Sequence, residues 1–204
     1  MTIRAVVFDF GGVLFDWNPQ HLYRQLIADE QERQWFLDNI CTQAWNTEQD
    51  AGRSLAEGTR HLIEQHPQHE PLIQAYYERW HEMLRGTLPE GVAILEALHK
   101  ADMPLFGLTN WSAETFPYAR ANYPFLQHLR DIVVSGELKL IKPDPRSITP
   151  ALPRYVVTCR ISRPVKWCLS TTLPAISRPL KPSAGRAFTM CRPSALRRVC
   201  VSWA

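Results

Sequence analysis

Apolar residues in the first 144 positions fall into short unbroken runs separated by longer periodic stretches. The first run, within Ile3–Phe10, is rich in β-branched and aromatic residues and ends at Gly11-Gly12. It predicts a buried strand followed by a tight turn. Pro104–Leu108 predicts a second strand, ending in Thr109-Asn110, and Asp131–Val134 a third, ending in Ser135-Gly136. Between Pro19 and Leu84 the pattern is helical. From Glu70 onward, Leu72, Ile73, Tyr76, Tyr77, Trp80, Met83 and Leu84 fall on one stripe, the spacing of a core-facing helix. Pro89 opens a further helix with Val92, Leu95 and Leu98 inward, and another starts near Ala113. Strands alternating with helices predict an α/β fold: a three-layer, Rossmann-like parallel sheet with a helical insertion after the first strand.

Charge divides the chain in two. Residues 1–144 hold all 20 acidic residues and 12 of the 23 Lys and Arg, a net charge of −8. Residues 145–204 hold the other 11 basic residues and no acidic one, a net charge of +11. The overall +3 describes neither part. Half of the 16 prolines and four of the five cysteines also fall after residue 144. Pro150, Pro153, Pro164, Pro174, Pro179, Pro182 and Pro193 interrupt most windows there, so an irregular segment is expected. Its basic residues are scattered among Trp167, Cys168 and Trp203, which argues against a nucleic-acid-binding arm. The cysteines lack metal-ligand or disulfide-framework spacing. No apolar run approaches the roughly 18 residues of a membrane span. Asp9 cuts the N-terminal run too short for a secretory signal, so the expected location is cytoplasmic, with no membrane partner.

Three strand ends or following loops carry reactive groups: Asp9, Thr109-Asn110, and Lys142 in Ile141-Lys142-Pro143-Asp144-Pro145. Open α/β sheets bind ligands at the carboxyl ends of their strands, and a carboxylate in an apolar strand needs a partner or a function. Brought together, the carboxylate can attack a phosphoryl group as nucleophile. The hydroxyl and the ammonium can stabilise charge on the phosphoryl oxygens. A divalent cation usually assists, because carboxylate and phosphate repel each other.

FDFGGVLFDWNP (Phe8–Pro19), LTNWSAETFP (Leu108–Pro117) and SGELKLIKPDP (Ser135–Pro145) together resemble the first three motifs of the haloacid dehalogenase-like (HAD) hydrolase superfamily, closest to its phosphatase-like branch with a helical cap. The resemblance spans residues 1–145. It implies a core of residues 1–16 and 86–146, a cap of residues 17–85, and an anomalous tail of residues 147–204. It implies hydrolysis of a small phosphorylated metabolite through an aspartyl-phosphate, with Asp9 as nucleophile and Mg2+ ligand. The Gly11 carbonyl would be a second ligand, Thr109 and Asn110 would bind phosphate, and Lys142 would hold nucleophile and phosphate. Trp45, Asp50 and Arg53, in the cap segment WNTEQDAGR, are candidates to face the substrate.

Two departures stand out. Gly11 occupies the position where most phosphatases of the superfamily carry a second Asp, the general acid and base, and the dehalogenases a Tyr. Asp16 or a cap His would have to take over proton transfer. The fourth motif, a strand ending in two acidic residues, is missing from the tail. Back-translating residues 151–204 and shifting the frame permits VVLVDD followed by HIEAAQAVG, with the acidic pair concealed under Thr171-Thr172. We therefore read the tail as frameshifted near residue 146. The alternatives are a dehalogenase, in which Asp9 attacks carbon, and a non-catalytic chain.

Overall fold

The computed structural model describes residues 5–144, 146, 157–162 and 166–169. Along the chain run β1 (Val6–Phe8), β2 (Phe15–Trp17), α1 (Gln20–Leu26), α2 (Glu30–Asn39), α3 (Gln43–Asp50), α4 (Leu55–Gln65), α5 (Glu70–Glu78), β3 (Leu84–Thr87) and α6 (Pro89–Lys100). They continue with β4 (Leu105–Thr109), α7 (Phe116–Asn122), β5 (Asp131–Val134), α8 (Ser135–Leu138), β6 (Val157–Ser162) and β7 (Lys166–Leu169).

The main sheet has the order β5-β4-β1-β6-β7. β1 pairs in parallel with β4 and with β6, and β4 pairs in parallel with β5. Every residue of β1 and β4 is buried, as expected of central strands covered on both faces. The expected α/β parallel sheet is present.

Two short segments of the tail form strands, β6 and β7, the latter antiparallel at the sheet edge. The physical reason is the flank of β1, whose backbone N–H and C=O groups need partners. Val157, Thr158 and Ile161 give that segment β propensity.

Chain turns behind β1 are set by packing. Phe10 is fully buried against Phe15, Trp111 and Phe116, with ring centroids 5.8, 6.4 and 6.0 Å away. Gly107 in β4 makes room for it, since a Cβ there would sit 2.8 Å from the Phe10 ring.

Helices α1–α5 form the insertion, and the antiparallel ribbon of β2 and β3 joins its two ends to the core. Asp29, Thr42 and Ser54 cap α2, α3 and α4, each side chain accepting from a first-turn backbone N–H. The stripe beginning at Glu70 does not form one helix. α5 ends at Glu78, a 3-10 turn spans Trp80–Met83, and Leu84 enters β3. Ile73, Tyr76, Trp80, Met83 and Leu84 are nevertheless all buried. Pairing of Leu84 with Trp17 in the ribbon overrides continuation of the helix. The helix expected from Ala113 starts at Phe116, with Pro117 in its first turn. Among the described residues, no helix is long and apolar enough to cross a membrane.

Candidate active site

Register brings the strand-end residues together. Phe8 of β1 lies opposite Gly107 of β4, so Asp9 leaves the sheet beside Leu108 and Thr109. Lys142 reaches back from the loop after α8. Its Nζ donates to Asp9 Oδ1 at 2.6 Å and to the Leu108 carbonyl at 3.1 Å. The Phe10 backbone N–H also donates to Asp9 Oδ1, at 2.7 Å. Both side chains of the pair keep access to solvent, 26% for Asp9 and 23% for Lys142, so the carboxylate is held but reachable.

Asn110 locks the lysine loop. Its Nδ2 donates to the Lys142 carbonyl at 3.2 Å, and its Oδ1 accepts from the Lys142 N–H at 2.8 Å. Thr109 is buried at the end of β4, and among the described residues its hydroxyl has only a long contact, 3.4 Å, to the Asn110 carbonyl. Asp9, Thr109, Asn110 and Lys142 thus meet at one edge of the sheet. Asp9, polarised by Lys142, can act as a nucleophile. The ammonium and the hydroxyl can take up charge on the group attacked.

A cavity of about 140 Å³ opens next to this edge, between core and cap. Gly11 and Asn110 line its core side, with Trp111, Ser112 and Thr115. Gln43, Asn46, Thr47 and Asp50 of α3 line its cap side. Trp17, Tyr77 and Trp80 contribute aromatic wall.

Two expected substrate contacts are taken up elsewhere. Trp45 packs against Tyr76 and Tyr77 and donates Nε1–H to the Gly58 carbonyl at 3.1 Å. Arg53 folds back on α3, its Nε donating to Gln49 Oε1 at 2.6 Å. Both therefore serve the insertion's own packing, and of the three candidates Asp50 is the one that lines the cavity, beside Asn46 and Thr47 of the same segment. Asp16, considered for proton transfer, pairs with His21 at 3.2 Å and is not among the cavity residues.

One polar residue went unread in the sequence. The buried Ser135 hydroxyl donates to the Asp50 carbonyl at 2.6 Å and accepts from the Trp111 N–H at 2.9 Å. It ties β5, the loop after β4 and α3 together. Its only sequence signal is its place at a strand end. Beside it, a Cβ on Gly136 would collide with the Ala113 backbone nitrogen, so glycine permits the close approach of these segments.

For a divalent cation, the described residues offer the Asp9 carboxylate and the Gly11 carbonyl. No group of three or more acidic, His or Cys side chains gathers among the described residues. Asp9 Oδ1 is already engaged by Lys142. That donor set does not by itself make a Mg2+ site, which takes near-octahedral oxygen coordination. The missing acidic pair sought under Thr171-Thr172 lies outside the described residues.

No protein-family profile and no curated protein matches the chain. Solved structures do. A HAD-family enzyme from Bacteroides thetaiotaomicron, solved as a magnesium complex, is 17% identical, with a TM-score of 0.54 over 72% of this chain and 75% of that one. A HAD hydrolase from Bacillus subtilis bound to magnesium is 14% identical, with a TM-score of 0.55 over 78% of each chain. A predicted HAD-like family hydrolase from Porphyromonas gingivalis is 19% identical, with a TM-score of 0.52 over 72% of this chain and 74% of that one. A parallel sheet with a helical insertion after its first strand, matched to these three, gives this chain the fold of the HAD-family enzymes.

Proposed function

We propose that the chain is a phosphohydrolase that cleaves small phosphomonoesters through an aspartyl-phosphate on Asp9. The observation that carries this reading is the 2.6 Å contact of Lys142 Nζ with Asp9 Oδ1, at a strand end that also presents Thr109. In this reading the second Asp9 oxygen attacks phosphorus. Lys142 and Thr109 take up the charge that builds on the phosphoryl oxygens. Asn110 keeps Lys142 in reach by bonding its backbone on both sides. The cavity of about 140 Å³ suits a small metabolite rather than a polymer. Two of the structural neighbours were solved with magnesium, which supports Mg2+ as the metal that would shield the phosphate charge. Asp9 and the Gly11 carbonyl are the donors this chain would contribute, and further oxygens must come from elsewhere.

The test is hydrolysis of p-nitrophenyl phosphate by the full chain, with and without Mg2+, beside Asp9→Asn. Phosphate release by the full chain and none by the variant is expected. Chloride release from 2-chloropropionate, with no phosphate release, would instead identify attack on carbon.

A further inference from the structure

We propose that Asp50, on the cap side of the cavity, is the general acid and base of this site, protonating the leaving oxygen and then activating water. This rests on the phosphohydrolase reading above. The argument is one of elimination and placement. Among the described residues lining the cavity, only Asp50 and Tyr77 titrate. Gly11 contributes no side chain, and Asp9 is engaged by Lys142 as the nucleophile.

Tyr77 is unsuited to the task. Burial raises its hydroxyl far above the ordinary tyrosine range, and it is committed to Asn46 Oδ1 at 3.0 Å. Asp50 is in the opposite situation. Burial pushes its carboxyl up to about 7, partly offset by a bond from the Ser112 backbone N–H. A group so poised holds a proton near neutral pH and can also take one back.

The carboxyl is positioned as well as poised. Asn46 Nδ2 donates to Asp50 Oδ2 at 3.2 Å, and Asn46 is itself held by the Tyr77 hydroxyl, which accepts from Gln49 Nε2 at 3.0 Å. The Asp50 backbone is pinned to the core by Ser135 at 2.6 Å. The groups around Asp50 do not supply a counter-charge that would return it to the ordinary range. Tyr76 and Tyr77 face it from α5, and burial keeps both neutral. The Arg53 guanidinium turns to Gln49 and the Trp45 carbonyl. From the core side, the stem of Lys139 lies near Gly52.

The steps balance as follows. An Asp9 oxygen bonds to phosphorus, the phosphorus–oxygen bond to the leaving group breaks, and the Asp50 proton passes to that oxygen. The products are an alcohol, aspartyl-phosphate and the Asp50 carboxylate. Water then attacks phosphorus and gives its proton to Asp50. The bond to Asp9 breaks, leaving inorganic phosphate, a free Asp9 carboxylate and Asp50 reprotonated.

Gly11 supplies a second handle. A Cβ built there meets nothing within 4 Å, so the opposite wall has room for a carboxylate side chain. The experiment compares the full chain, Asp50→Asn, and Asp50→Asn combined with Gly11→Asp. The probes are β-glycerol phosphate, whose leaving oxygen needs a proton, and p-nitrophenyl phosphate, whose leaving group does not. Asp50→Asn should lower glycerol phosphate turnover by about 10²–10⁴-fold. It should spare the first burst of p-nitrophenol, and Gly11→Asp should restore part of the loss. Carboxyl-carbon NMR of the full chain should show a resonance titrating near neutral pH that is absent from Asp50→Asn. Undiminished glycerol phosphate turnover in Asp50→Asn, or titration of Asp50 in the ordinary carboxylate range, overturns the role of Asp50 while leaving the phosphohydrolase reading intact. Absence of turnover by the full chain on both probes overturns both readings.

Discussion

Burial raises the Asp50 carboxyl from its ordinary 3.8 to about 7, so folded and unfolded chains bind different numbers of protons between those values. The folded chain keeps a proton there that the unfolded chain has released. This group's contribution to stability is therefore complete below the unfolded value and lost as pH rises through about 7. Asp50→Asn removes the dependence. The expected outcome is that Tm of the full chain falls relative to the variant as pH rises from 3.8 to about 7, measured by thermal melts in matched buffers. A constant difference contradicts the assignment. At this scale, position was a better guide than residue type. Asp9, Thr109, Asn110 and Lys142 were legible because each sits at a strand end or in the loop that follows. Trp45, Asp50 and Arg53 share one short segment, and sequence does not show which of them turns to the cavity. Helix phase in α3 and the pull of the Tyr76–Tyr77 cluster on Trp45 decide it.

Among elements, the junction of α3 with the core depends on one hydroxyl. Ser135→Ala would leave the buried Trp111 N–H and the Asp50 carbonyl without this partner. It should cost about 1–3 kcal/mol, read by urea unfolding, with an unchanged midpoint as the contrary result. The apolar runs of β1, β4 and β5, though short, could be read from sequence because burial leaves an unbroken signal. The ribbon could not. β2 and β3 are three and four residues long, with no sustained alternation, and each exists because the other is there. The same tertiary demand ends α5 at Glu78, although the apolar stripe runs on to Leu84.

Across the whole molecule, the strand beside β1 on the flank away from β4 is β6, and its sequence Val157–Ser162 carries no carboxylate. Neither do the residues that follow it, since the tail has no acidic residue at all. On the out-of-frame reading, a one-base correction near codon 146 restores an apolar strand ending in Asp-Asp. The restored chain should then show Mg2+-dependent phosphate release about a hundredfold or more above the present chain, because a bound cation contributes several kcal/mol of charge stabilisation. Phosphate release titrated against Mg2+ for both chains measures it, and equal rates would refute the frame correction. The central claim, phosphoryl transfer to Asp9, is tested most directly by trapping the intermediate. The full chain is incubated with p-nitrophenyl phosphate, quenched in acid and digested, and the peptide spanning Asp9 is weighed. One added phosphoryl group on Asp9, absent from Asp9→Asn, is the predicted result. Phosphate release that persists in Asp9→Asn, with no label on the peptide, would contradict it.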